Sequence, residues 1–195
     1  MKKSVLHILI GLILLSAGSQ RLSAQYALES FTFDTDIYSI RECCIPGFHY
    51  KYDDYLQYAP AALTIGLKAG GYDSRSSWGR MLVSDAFSAV IMTGAVNGLK
   101  YSVQRPRPDG SRNNSFPSGH TALAFAMAFV FYKYLPKKYG IPAIIIASFV
   151  GLSRVHLGVH YLSDVIGGII FAYVSTRIAE YLVSKYHPNR MENDM

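Results

Sequence analysis

Ser153-Arg154-Val155-His156-Leu157-Gly158-Val159-His160-Tyr161-Leu162-Ser163-Asp164 joins an apolar run, Ala143 to Leu152, to another that begins at Leu162 and continues to Val183. The flanking runs predict two helices. The join puts a cation, an imidazole and a carboxylate among apolar neighbours. His160 and Asp164 stand four apart, so on a helix they share a face one turn apart. A carboxylate there can accept a hydrogen bond from one imidazole nitrogen, fixing the tautomer and leaving the other nitrogen as nucleophile or base. The planar fork of Arg154 suits phosphate oxygens. A plainer reading stands beside this one: a short polar loop between buried helices, each charge meeting whatever partner is at hand. The stretch alone supports both equally.

Outward from it the chain is a series of apolar runs with basic ends. Ala59 to Gly70 is short and carries Lys68. Met81 to Leu99 is longer, with Gly94 and Gly98 one turn apart as positions that permit close helix approach. Thr121 to Leu135 follows, closed by Lys137, Lys138 and Gly140, with Pro142 opening the next run. Gly167 and Gly168 are small packing positions in the last helix. No strand alternation, repeat or low-complexity tract stands out. The fold class expected is therefore all-α, a bundle of about five or six membrane-spanning helices including the N-terminal segment.

Residues 1–24 read as a signal peptide or N-terminal anchor, with Lys2 and Lys3 before an apolar run and a small-residue exit at Ser23-Ala24. Residues 25–58 read as an exported segment, rich in Tyr and Asp, with one short helix around Asp53 to Tyr58. Residues 59–183 form the helical domain, and 184–195 a polar tail. If each apolar run crosses once, three basic clusters (Arg75 and Arg80; Lys137 and Lys138; Lys185 and Arg190) fall inside with Lys2 and Lys3. The loop holding Lys100, Arg105, Arg107 and Arg112 falls outside, with Arg154 and His160. A phosphate site on the outer face would account for that exception.

Composition narrows the partners. The chain has 195 residues, half of them hydrophobic and 16% charged, with a net charge of +6. Its mean hydropathy of +0.16 is modest for a membrane bundle, and several runs carry Lys68, Asp85 or Arg177, so a soluble helical bundle stays open. The basic residues form short clusters at the ends of apolar runs rather than one stripe, which argues against nucleic acid as a partner. The two cysteines, Cys43 and Cys44, are adjacent. A disulfide between neighbours is strained, and they lack the spacing of a zinc site.

Two further segments carry chemistry. In the loop, Lys100 and Arg107 place a point cation and a fork cation where one anion can meet both, with Pro106 and Pro108 stiffening the segment. Phe116-Pro117-Ser118-Gly119-His120 precedes the run from Thr121. Ser118 is a natural N-cap, Gly119 lets backbone approach a ligand, and the first helical N–H groups form an anion site beside His120. Taken singly, these segments fit a surface loop and ordinary capping equally well.

The three segments together read Lys100, six residues, Arg107-Pro108; Pro117-Ser118-Gly119-His120; and Ser153-Arg154, five residues, His160, three residues, Asp164. This set resembles the phosphatidic acid phosphatase type 2 superfamily, over about Tyr55 to Val183. That superfamily includes membrane lipid phosphatases, bacterial class A acid phosphatases and vanadium haloperoxidases. The resemblance implies that His160 is the nucleophile that becomes phosphohistidine and Asp164 its orienting carboxylate. It implies that His120 is the acid for the leaving oxygen and then the base for water. Lys100, Arg107, Arg154, the Ser118 hydroxyl and the Gly119 N–H become the phosphate cradle. The cations match the charge spread over a phosphoryl group in transfer. No cofactor is implied, and no metal is required, because those cations already neutralise the phosphate.

The leading expectation is a metal-independent phosphatase of a lipid phosphate or diphosphate: polyprenyl diphosphate, phosphatidylglycerophosphate, phosphatidic acid or lipid A phosphate. It would sit in a bacterial-type inner membrane with its site facing the periplasm. The alternative is a soluble periplasmic acid phosphatase on small phosphomonoesters. A vanadate-dependent haloperoxidase and a non-catalytic binder of anionic lipid complete the set. His156 is read as a wall residue, Arg105 and Arg112 as anion-steering or solvated residues, and Asp109 as a partner for a nearby Arg. The Asn113-Asn114-Ser115 pattern is read as a chance glycosylation match.

Overall fold

The computed structural model describes residues 32–44, 53–72 and 78–186. They form α1 (Thr32–Cys44), α2 (Asp53–Leu56), α3 (Ala59–Ala69), α4 (Trp78–Val103), α5 (Gly119–Tyr134), α6 (Lys137–His156) and α7 (Leu162–Tyr186), with no strand among the described residues. The all-α expectation holds. The proposed signal or anchor segment, residues 1–24, lies outside the described residues. The 25–58 segment holds α1, where no periodicity pointed to a helix, as well as the short helix α2. The last helix runs to Tyr186, into the expected polar tail, whose remainder lies outside the described residues.

Helix α5 is the centre of the bundle. It packs against α4, α6 and α7, while α4 also packs against α7. Its sequence is apolar all round because neighbours cover nearly all of it: Ala122, Ala124, Ala126, Ala128, Val130 and Phe131 are buried. The alanines keep interhelical distances short. Polar groups inside the bundle pair across helices, Ser84 Oγ with Tyr134 Oη at 3.0 Å and Ser88 Oγ with Thr176 Oγ1 at 2.9 Å. Glu180 takes both Lys133, at 2.8 Å, and Arg177, at 3.2 Å.

Helix ends are set by local chemistry. The chain before α5 is extended at Ser118 (φ −70°, ψ 110°), and α5 stops before Leu135-Pro136. Lys137, Lys138 and Gly140 open α6 instead of closing α5, and Pro142 lies inside α6. Gly140 lets the α5–α6 hairpin close, since a Cβ there would lie 2.6 Å from Tyr132 Cα. At its far end α6 breaks at Leu157 and Gly158, whose φ of 69° favours glycine. Helix α7 begins with a reciprocal cap: Asp164, its third residue, accepts the N–H of Tyr161 at 2.8 Å.

Three of the described helices, α4, α6 and α7, are long and apolar enough to cross a membrane. Of the remainder, α5 has 16 residues and α3 has 11. At 1.5 Å per residue these span about 24 Å and about 16 Å. Helix α3 therefore falls well short of a hydrocarbon core of about 30 Å. The outward faces are apolar, with Val90 71%, Phe149 59% and Leu152 59% exposed. The antiparallel order brings the C-termini of α4 and α6 to the same end as the N-termini of α5 and α7. Arg80, Lys133, Lys137, Lys138 and Lys185 mark the opposite end.

The glycines divide sharply. A Cβ on Gly168 would lie 2.7 Å from the backbone oxygen of Ser118, and one on Gly167 would lie 2.6 Å from the ring of Phe116. These two positions bring α7 against the start of α5. Gly94 and Gly98, expected as close-approach positions, face outward with no atom near an added Cβ among the described residues. Gly168→Ala should therefore lower stability by about 1–3 kcal/mol, whereas Gly94→Ala should be neutral or slightly stabilising. Thermal denaturation of both variants in detergent checks this; equal effects would contradict the packing described.

Candidate functional site

The Asp164 carboxylate gathers the end of the bundle where the helix termini meet. It is fully buried and accepts from every side. Its Oδ1 takes Arg105 Nη1 at 2.7 Å. Its Oδ2 takes the Tyr161 N–H and the Ser115 hydroxyl. Its backbone carbonyl accepts the Ser118 N–H at 3.0 Å. One residue thus ties the loop after α4, the start of α5 and the start of α7 together. The anionic carboxylate also sits in the first turn of α7, where the helix dipole favours it.

His160 Nδ1 lies 3.5 Å from Asp164 Oδ2. This is a long contact rather than a tight hydrogen bond, and such contacts commonly shorten when a ligand closes the site. It leaves Nε2 as the nitrogen turned away from the carboxylate. His160 is only 2% exposed. Burial pushes its pKa down from 6.5 to about 4, opposed by Asp164 and aided by the cations Lys100 and Arg154. A neutral imidazole is therefore its resting form across physiological pH.

Three cations come to this point. Lys100, in the last turn of α4, donates Nζ to the backbone oxygen of Asn114 at 2.7 Å. Arg107 donates Nε to the Asn114 side-chain oxygen at 3.0 Å. Asn114 thus holds both cations of the first motif at once, although the sequence reading had it only as the middle residue of a chance glycosylation pattern. Burial and the charges of Arg154 and Arg112 push Arg107 below the ordinary guanidinium range, with Asp109 and Asp164 opposing. Arg154 is buried at the end of α6, and both its charge and that of Lys100 act on His160. Lys100 and Arg107 feel each other's charge and that of Arg154, with Asp164 opposing on both.

The middle motif lies at the start of α5. Ser118 occupies the N-cap position, but its hydroxyl meets Thr121 Oγ1 at 2.8 Å instead of a helical N–H. Gly119 and His120 form the first turn, where the positive end of the helix dipole lies. Gly119 has open space on its Cβ side, the nearest atom being Val96 Cγ1 at 3.8 Å. His120 is half-buried there.

Four residues escaped sequence reasoning. Arg105, read as anion-steering or solvated, is instead partly buried between two carboxylates, 2.9 Å from Asp34 and 2.7 Å from Asp164. The Tyr161 ring stacks on it at 4.2 Å. Asp34, in α1, also accepts the N–H of Ser163 at 3.0 Å and its hydroxyl. Ser115 and Asn114 complete the list. Only Arg105 and Asn114 had a signal, their place inside a motif-bearing loop. Asp109, expected to pair with an Arg, accepts the Ser111 N–H at 2.9 Å and lies within electrostatic reach of Arg107. His156 supplies its backbone oxygen to Arg41 Nε at 2.7 Å.

Residues 81–188 match the family model of the PAP2 superfamily. A lipid A 1-phosphatase of Porphyromonas gingivalis is 42% identical over 146 residues, covering 73% of this chain and 33% of that protein. Phosphatidylglycerophosphatase B of Bacillus subtilis is 36% identical over 124 residues, covering 56% of this chain and 59% of that protein. The chain thus spans between a third and three-fifths of the length of these relatives. The crystal structure of a transmembrane PAP2-type phosphatidylglycerolphosphate phosphatase from Bacillus subtilis superposes with a TM-score of 0.63 at 24% identity, covering 95% of this chain and 98% of that one. That likeness shows the fold.

The burial of His160 yields a direct test. In the full-length protein in micelles, the His160 imidazole should titrate near pH 4 by NMR, far below the 6.5 of a solvated histidine. A midpoint at or above 6.5 would contradict the buried site.

Proposed function

The chain belongs to the PAP2 superfamily, and from that premise we propose that it is a membrane phosphatase of lipid phosphates or diphosphates that works through a phosphohistidine. One observation carries the reading: a buried, neutral His160 backed by Asp164, with Lys100, Arg107 and Arg154 converging beside it.

In this reading His160 Nε2 attacks the phosphorus, and the bond from phosphorus to the leaving oxygen breaks. Charge forming on Nδ1–H is stabilised by the Asp164 carboxylate. The three equatorial oxygens lie among Lys100, Arg107, Arg154, the Ser118 hydroxyl and the Gly119 N–H. His120 gives its proton to the leaving oxygen, then takes one from the water that attacks the phosphorus and releases phosphate from Nε2. The cations do the neutralising that a metal would otherwise supply. Ser118 must turn its hydroxyl from Thr121 or share it to take part.

Among lipid substrates, the 42%-identical relative supports the 1-phosphate of lipid A as leading candidate, with phosphatidylglycerophosphate, phosphatidic acid and polyprenyl diphosphate behind it. Three long apolar helices with exposed Val90, Phe149 and Leu152 weigh against the soluble acid phosphatase. The cationic residues at the end away from the site favour that end as cytoplasmic, which turns the site to the periplasm. The division into residues 1–24, 25–58, 59–183 and 184–195 stands as a proposal too, with α1 now assigned to the site's support.

Phosphate release from a panel of lipid diphosphates, lipid monophosphates and soluble esters, with chelator present, tests the proposal. The lipid substrates should be hydrolysed in preference to the soluble esters. His120→Ala should lose about 10²–10⁴-fold in kcat, and His160→Ala should form no acid-labile phosphoenzyme. Full activity in His160→Ala, or turnover of soluble esters alone, would defeat it.

A further inference from the structure

Helix α1 lies outside the matched family region, yet it is tied to the catalytic end at three points. Asp34, 2% exposed, meets Arg105 Nη2 at 2.9 Å and the Ser163 N–H at 3.0 Å. Arg41 Nε donates to the His156 carbonyl at 2.7 Å. Tyr38 and Arg41 cover Gly158, where an added Cβ would sit 3.3 Å from both side chains. The contacts fall on both ends of the segment that carries His160, and the Asp34 contact continues inward.

Arg105 is the link. Its Nη2 faces Asp34 and its Nη1 faces Asp164 Oδ1, so the guanidinium spans the two carboxylates. Ser163 Oγ accepts Arg105 Nη1 at 2.6 Å and donates to Asp34. Gln104, just before Arg105, adopts a φ of 46°, which turns the chain sharply out of α4. Tyr161 closes the other face of Arg105. Arg105 holds Oδ1 of Asp164 while the Tyr161 N–H and the Ser115 hydroxyl hold Oδ2, the oxygen that faces His160 Nδ1.

We propose that Asp34 is a positioning residue for the phosphoryl-transfer reaction, holding Arg105 against Asp164 so that α1 fixes the orientation of the His160 imidazole. Asp34 touches none of Lys100, Arg107, Arg154 or His160; its contacts are with Arg105 and Ser163. Its loss should therefore slow the chemical step without weakening substrate binding. The inference rests on the phosphohistidine reading above.

The test uses the full-length protein in detergent with dioctanoyl phosphatidic acid as substrate. Asp34→Asn should lower kcat by about 10- to 100-fold through misplacement of the nucleophile, with KM within about threefold. Asp34→Glu should recover part of the loss. Asp36→Ala, an exposed carboxylate of the same helix, should match the wild type. If Asp34→Asn does not fold, Arg105→Lys keeps the charge but loses the fork, and should show the same fall in kcat with KM retained. Wild-type kcat in Asp34→Asn or Arg105→Lys, or a rise in KM alone, would overturn the inference while His160→Ala remains inactive. An active His160→Ala would overturn the phosphohistidine reading itself, and this one with it.

Discussion

A single buried carboxylate holds together the end of the bundle where the three motifs meet. Asp164 accepts a guanidinium, a hydroxyl and a backbone N–H, touches an imidazole, and lends its own carbonyl to the start of α5. Taking an ionised carboxylate out of water is costly unless its oxygens are satisfied. Here almost every direction is filled, by Arg105 and Ser115 from the loop after α4 and by His160 and Tyr161 from the segment just before α7. Its stability requirement and the assembly of the site are therefore the same fact. A chain that failed to bring Arg105, Ser115 and Tyr161 together would leave an unpaired charge in its interior.

The helices serve that point of convergence. Alternating directions deliver two helix C-termini and two N-termini to one end, so cations at chain ends and helix-start N–H groups share a small volume. Gly167 and Gly168 let α7 come close enough to α5 for the Ser118 N–H to reach Asp164. Lys100, Arg107 and Arg154 lie within electrostatic reach of one another, and Asn114 restrains two of them. In the proposed reading this cluster receives a group with three negative oxygens, and the buried imidazole beside it attacks that group's phosphorus.

Much of this was legible in the residues. The long apolar runs with basic ends set the helical bundle, and the fixed spacings of the three motifs marked the residues that converge. His160 and Asp164 do meet, but not as two residues of one helix face, because His160 precedes the first residue of α7. What could not be read were contacts that depend on the tertiary path. Asp34 sits in a polar stretch without periodicity, 71 residues before Arg105, and its role arises only because α1 folds back over the site. Gly94 and Gly98 had the right spacing for helix packing, but spacing does not say which face turns inward. Ser118 had the right residue type for a cap, yet the neighbouring Thr121 hydroxyl offered a nearer partner.

The most direct test is an experimental structure of the full-length chain with orthovanadate, which takes the shape of a phosphoryl group in transfer. The account predicts vanadium bonded to His160 Nε2, with equatorial oxygens among Lys100, Arg107, Arg154, Ser118 and the Gly119 N–H, His120 at the opposite apex, and Asp164 in hydrogen-bond contact with Nδ1. Vanadate bound elsewhere, or a His160 ring turned away from the three cations, would contradict it.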